Sequence, residues 1–355
     1  MKFNRRVFLG AGAAVTAAAF GQFRPKTASA QFGGRSNSSL NLYSSRHYDT
    51  DDALYEGFAD ATGIRVNLIE AEADLLIERI KNEGTNSPAD LLVTVDAGRL
   101  WRADQEDLFE PIASSTLEQA IPEYLRHPEG LWFGLTKRAR VIMYNRDAVD
   151  PSELSTYEDL ADSKWRGRIL VRSSTNIYNQ SLVGSLIAAH GEEATEEWVS
   201  EFVANFARDP EANDTAQIKA AAAGLGDIAI ANTYYLARLA KSDDPQDQAI
   251  AARMGVFFPN QGDGERGTHV NISGAGVLKS APNKEAAIQF LEYLVSPEAQ
   301  RIFAEGNNEY PVVEGASLDP VVESFGDFKE DTVSAAVFGR NNPLALQVCD
   351  RAGWE

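Results

Sequence analysis

Cysteine is nearly missing: Cys349 stands alone among 355 residues, so neither an internal disulfide nor a cysteine cage for zinc can form. A packed core must supply the stability. Histidine is scarce as well, and of the four, His127, His190 and His269 show no metal spacing and read as surface or structural residues. No apolar run approaches the roughly 20 residues of a membrane-spanning helix. HExxH, G-x-S-x-G and P-loop motifs are absent, and Gly274-Ala275-Gly276 lacks the third glycine and downstream helix of a dinucleotide fingerprint. Without a nucleophile motif, a secreted hydrolase or other enzyme on two α/β lobes is a weak alternative. Asp49, Asp51 and Asp52 lack the central glycine and terminal glutamate of a calcium loop, and are expected to start a helix instead.

The first thirty residues read as an address. Asn4-Arg5-Arg6-Val7-Phe8-Leu9 is a twin-arginine pattern, followed by a small, weakly apolar stretch and an Ala28-Ser29-Ala30 cleavage site. No cysteine stands directly after that site, which gives no support to a lipid anchor. The segment carries five basic residues and no acid, so the net charge of −19 becomes −24 without it. Such a surface repels nucleic acid and anionic membrane. Export by the twin-arginine machinery to the periplasm is expected, as a monomer.

Residues 31–38, rich in Gly and Ser, read as a flexible leader. Beyond them strand and helix patterns alternate: Leu40–Tyr43, a helix near Asp52–Thr62, Ile64–Ile69, a helix near Asp74–Asn82, then Asp90–Val95. That rhythm implies βαβ units and mainly parallel sheets. Extended runs at Leu131–Thr136 and Arg140–Tyr144 look like a crossing between lobes. A second set follows, with helices at Leu154–Leu160, Gln180–Ala189, Trp198–Phe206 and Asp214–Ala223, the last capped by Asp214, and strands at Ile169–Val171 and Asp227–Ala231. Val256–Phe258, Thr268–Ile272 and Gly276–Leu278 return the chain, helices follow at Glu285–Leu294 and Ala299–Phe303, and residues 317–347 read as a helical tail. The expectation is an α/β protein of two lobes, 39–136 with 262–316 and 137–261 with 317–355, binding its ligand in the cleft between them.

The chemistry is carried by His47-Tyr48, Tyr178 and Tyr234-Tyr235, each where an extended run meets a polar turn or helix start, the place where open α/β folds gather ligand groups. A phenol is a poor metal ligand while protonated, but a multivalent cation stabilises the phenolate and drives off the proton. Several phenolates favour a hard ion, ferric iron before zinc or copper. Four would leave one excess negative charge on a trivalent ion, so a nearby arginine helps; Arg46, Arg138, Arg140 and Arg238 are the candidates. The bland readings stand beside this one. Tyr55, Tyr144 and Tyr293 are core residues, Tyr234-Tyr235 alone would fit a packed helix start, and a loop histidine such as His47 can simply be solvated.

Leu42-Tyr43-Ser44-Ser45-Arg46-His47-Tyr48, Ala89-Asp90-Leu91-Leu92 with Asp96-Ala97-Gly98-Arg99-Leu100, Lys137-Arg138-Ala139-Arg140-Val141, Asp159-Leu160-Ala161-Asp162 through Trp165-Arg166-Gly167, and Asn232-Thr233-Tyr234-Tyr235 resemble the cyanobacterial-type periplasmic iron-binding proteins. The likeness runs from about Leu40 to the C-terminal tail. It implies the transferrin-like type II periplasmic binding fold, a hinge between lobes, and a role as solute-binding component of an iron ABC importer whose membrane permease is the partner. Carried over by position, the metal ligands are Tyr48 from one lobe and Tyr178, Tyr234 and Tyr235 from the other. His47 matches a residue that coordinates in some relatives and turns away in others. Arg138 and Arg238 match residues that modulate the charge near the metal. The cargo implied is Fe3+, with Fe2+ acceptable beside an arginine, and no separate anion is needed. The alternative is a type II binding protein for a polyamine, phosphate or organic anion, since fold does not fix function.

Overall fold

A computed structural model describes residues 39–355; the twin-arginine segment and the leader lie outside the described residues. Nine strands are described: β1 Ser39–Ser44, β2 Arg65–Glu70, β3 Leu91–Val95, β4 Phe133–Asn145, β5 Ile169–Leu170, β6 Ile228–Asn232, β7 Met254–Phe257, β8 Val270–Val277 and β9 Tyr310–Pro311. They run in the order β2-β1-β3-β8-β4-β6-β5, with β7 and β9 also on β4. Helices Asp52–Thr62, Ala73–Glu83, Ala97–Gln105 and Ile177–His190 are among those that flank the strands. Among the described residues no helix is long and apolar enough to cross a membrane.

Strand β4 organises the molecule. Its first half, Phe133–Ala139, pairs with β8, and its second half, Arg140–Tyr144, pairs with β6. The two extended runs expected here are therefore one strand. The charges at Lys137, Arg138 and Arg140 made the middle look like a break, but period-2 alternation sends Arg138 and Arg140 to one face, while Lys137 meets Glu330 at 2.6 Å. The sheet is mixed rather than mainly parallel. β1 pairs parallel with β2 and β3, and β5 with β6, whereas every pairing of β4 and β8 is antiparallel. The outer βαβ units have the expected sense, and the long strands that tie them together run the other way.

Other expectations shift for local reasons. Thr268–Ile272 and Gly276–Leu278 merge into β8, because at Gly274 and Gly276 the backbone approaches the Phe133 and Leu131 carbonyls more closely than any Cβ allows. Leu154–Leu160 is not a helix: it follows the 3-10 turn Pro151–Glu153 and runs into a second, Glu158–Ala161, with the Tyr157 N–H given to Asn260. The cap of helix Asp214–Ala222 is Asn213, whose side chain accepts from the Ala216 N–H, and Asp214 turns inward. The tail is not one helical run. Pro320–Glu323, Ala335–Arg340 and Asn342–Arg351 are separated by an extended stretch that bonds to Thr268.

Two apolar clusters flank the shared strand. One gathers Leu42, Phe58, Leu91, Leu92, Phe133, Ile272 and Phe290; the other gathers Trp165, Ile169, Leu182, Trp198, Phe202, Ile228 and Trp354. Trp354, one residue from the C-terminus, lies edge-on to Phe202 at 5.3 Å and returns the chain end to the second cluster. Its burial, together with that of Val348 and Cys349, holds the back of helix Ile177–His190.

Candidate metal centre

Three helix starts deliver the tyrosines. Tyr48 ends the loop after β1 and immediately precedes the turn Asp49–Asp51 and helix Asp52–Thr62. Tyr178 is the second residue of helix Ile177–His190, where the Asn176 side chain caps its N–H at 3.1 Å. Tyr234 and Tyr235 are the second and third residues of helix Thr233–Ala240, directly after β6. Free N–H groups and the helix dipole favour negative charge at each place.

The fold brings the four phenols together. The rings of Tyr234 and Tyr235 lie 4.3 Å apart although adjacent helical residues diverge by about 100°. The Arg238 guanidinium sits 4.8 Å from the Tyr48 ring and 4.9 Å from the Tyr234 ring, joining segments almost two hundred residues apart. Tyr178 acts electrostatically on Tyr48, Tyr234 and Tyr235 alike, and Arg138 lies 5.5 Å from its ring. His47 is exposed one residue before Tyr48.

Burial pushes the Tyr48 phenol upward, helped by Glu309 and opposed by Arg46 and Arg238. Tyr234 is driven well above its ordinary value by burial, then by its three tyrosine neighbours. Tyr235 is pushed up to about 12, mostly by burial. These three phenols therefore keep their protons at neutral pH until a cation displaces them. Among the described residues no cluster of three His, Cys, Asp or Glu is placed to hold a metal ion.

The four arginines divide into two kinds. Arg46 and Arg140 are spent on buried carboxylates: Arg46 on Asp51 at 2.7 Å and Glu309 at 3.0 Å, Arg140 on Asp214 at 3.0 Å. Arg138 and Arg238 have no such carboxylate pair among the described residues; they stand over the phenol rings, as Arg46 also does at 4.7 Å from Tyr48. Arg138 is buried with one donor on Ser273 at 3.2 Å and with its Nε and Nη2 unpartnered, a cation with donors to spare beside a place built for negative charge.

Comparison with known proteins shows the family of the chain. The profile of the family described as "Bacterial extracellular solute-binding protein" matches residues 86–325. The chain belongs to that family. Its members are solute-binding transport proteins and not enzymes. The chain is 57% identical over 354 residues to "Iron uptake protein A2" of Synechocystis sp., covering 100% of this chain and 99% of that protein. It is 29% identical to the "Fe(3+)-binding periplasmic protein" of Serratia marcescens over 88% of this chain and 89% of that one. Among solved structures, Trichodesmium IdiA (FutA) "in complex with iron and citrate ligands" superposes with a TM-score of 0.88 at 64% identity, covering 90% of this chain and all of that one.

Sequence reasoning missed several groups around the centre of this solute-binding protein. Glu309 is buried between Arg46 and Ser273 and acts on Tyr48, Arg138 and Arg238. Asp214 is buried beside Arg140 and 3.7 Å from Arg172, whose guanidinium lies 5.7 Å from the Tyr178 ring. Asn232 was legible only as a helix start. Nothing local in the sequence marks Glu309, since its partners lie far along the chain.

Proposed function

We propose that the chain binds iron in the cleft lined by its four tyrosines and delivers it to the permease of an ABC importer. The observation that supports this reading is the gathering of four tyrosines from three chain segments, close enough to act on one another electrostatically, with Arg138 and Arg238 over their rings. Hard oxygen donors that ionise on binding select a hard, highly charged ion. Ferric iron is the cargo, with ferrous iron bound more weakly. The names of the relatives, iron uptake and Fe(3+)-binding proteins, support the same cargo.

Tyr48, Tyr178, Tyr234 and Tyr235 are the ligands in this reading, and His47, exposed beside Tyr48, is the remaining donor within reach of a loop movement. Residues 39–136 with 262–316 form one lobe and 137–261 with 317–355 the other, hinged where β4 changes partners. The ion stabilises the closed arrangement only through its greater affinity for it. The protein works in the periplasm as a monomer, exported by the twin-arginine machinery through residues 1–30. Arg138 and Arg238 compensate the excess negative charge, so no separate anion is required.

The test is titration of the purified chain with ferric nitrilotriacetate, followed through the visible phenolate-to-iron charge-transfer band. Tyr178→Phe and Tyr235→Phe should each weaken binding and alter the band. Wild-type colour and affinity in both variants would remove the assignment. Affinity should fall as pH drops, because each phenol must release its proton to bind.

A further inference from the structure

Arg140 carries an observation that the iron-binding reading has not used. It stands opposite Asn232 in the antiparallel pairing of β4 and β6, and both side chains are buried. One guanidinium nitrogen, Nη1, donates to Asp214 Oδ2 and to Asn232 Oδ1, both at 3.0 Å. The other, Nη2, donates to Asn179 Oδ1 at 2.6 Å and to the Ile230 carbonyl at 3.3 Å. Asn179 follows Tyr178 directly, and Asn232 lies two residues before Tyr234. Asn179 is fixed further by donating its amide to the Arg172 and Ser173 carbonyls at 2.9 and 3.0 Å. A single cation thus holds the positions next to the tyrosines of two separate helices.

The contact with Asn232 also sets direction. A side-chain amide has one acceptor end and one donor end. With its oxygen facing the Arg140 guanidinium, the Asn232 amide turns its Nδ2 toward the Tyr234 oxygen, 3.4 Å away. The reverse orientation would set N–H groups against N–H groups. An N–H aimed at a phenolate draws electron density from that oxygen and orients it, as hydrogen bonds behind a metal ligand do.

We propose that Arg140 is a positioning residue for the phenolate centre: it locks the Asn232 amide so that its N–H points at the Tyr234 oxygen, and it ties the Tyr178 segment to the Tyr234 segment through Asn179. The proposal rests on the iron-binding reading above. Unlike Arg138 and Arg238, Arg140 acts through neutral amides, because its charge is already matched by Asp214.

The experiment uses the purified chain titrated with ferric nitrilotriacetate, with the charge-transfer band and the affinity read together and folding checked by circular dichroism. Asn232→Leu keeps the Arg140–Asp214 pair and removes the N–H. Its band should move to longer wavelength, because the Tyr234 phenolate becomes richer in electrons, and affinity should fall roughly 10- to 100-fold. Arg140→Lys keeps a cation for Asp214 but loses the planar fork that reaches both amides. It should shift the band the same way, and the double variant should add little to the larger single effect. A coloured wild type with band position and affinity unchanged in Asn232→Leu would overturn the proposal, whether or not Arg140→Lys folds. A wild type that shows no band and takes up no ferric ion would overturn both this proposal and the function on which it rests.

Discussion

A tyrosine is neutral at physiological pH by a wide margin, and in this cleft burial widens the margin for Tyr48, Tyr234 and Tyr235. On the function proposed above, a bound cation would supply the energy that ionises these phenols. His269 shows the same physics with the opposite charge. It is buried edge-on against Phe338 at 4.9 Å, and burial, then Arg266, Arg140 and Arg138, holds its pKa well below the ordinary 6.5. The unfolded chain binds a proton there near pH 6.5 and the folded chain does not. The stability contributed is complete above about pH 6.5 and is lost as pH falls below it. The urea midpoint should be flat from pH 8 to about 6.5 and drop by pH 5.5, and His269→Gln should flatten that slope. An unchanged slope in the variant would assign the drop to other groups. At this scale the sequence named the tyrosines and Arg138, while Glu309 stayed silent because its partners are distant in the chain.

At the scale of elements, the loop from Ser45 to Asp51 is held by one buried triad. Arg46 bridges Asp51, at the head of helix Asp52–Thr62, to Glu309, just past helix Pro297–Asn307, and its guanidinium covers Tyr48 at 4.7 Å and Phe303 at 5.0 Å. Arg46→Met would leave two carboxylates buried without a counter-charge, a loss of about 3–5 kcal/mol. Urea unfolding of the variant should show that loss. A loss below about 1 kcal/mol would mean the loop is held by something else. Element prediction succeeded where local pattern and tertiary demand agreed, as for helix Asp52–Thr62, found with the expected bounds, and for the helix expected at Glu285–Leu294, found as Lys284–Leu294. It failed at β4, β8 and the segment around Tyr157. In those places charged residues, glycines and an asparagine far along the chain decide the backbone's hydrogen bonds, and none of that appears in local periodicity.

At the scale of the whole molecule, β4 belongs to two sets of pairings at once, and the phenols converge around the stretch where it changes partners. A ligand that binds only the folded chain stabilises it by RT ln(1 + L/Kd), with L the free ligand concentration. Ferric nitrilotriacetate at about 100 times the dissociation constant should add about 2.7 kcal/mol and raise the melting temperature, and spermidine or phosphate should leave it unmoved. A rise with phosphate alone would favour the anion-binding reading instead. The α/β class and the order of elements could be read from alternating patterns. The mixed sense of the sheet could not, because strand direction depends on which distant strands meet.

The sequence alone determined the class of the fold and the alternation of its elements, and it singled out the tyrosines on which the proposed site rests, since composition, spacing and donor chemistry are local properties. Only the tertiary structure decided that Arg46 and Arg140 are paired with buried acids while Arg138 keeps donors unpartnered, that His47 faces solvent, and that Asn232 aims its amide at Tyr234. The reason is that pairing between charges and amides depends on distance in space, and the partners here are separated by as many as 263 residues along the chain.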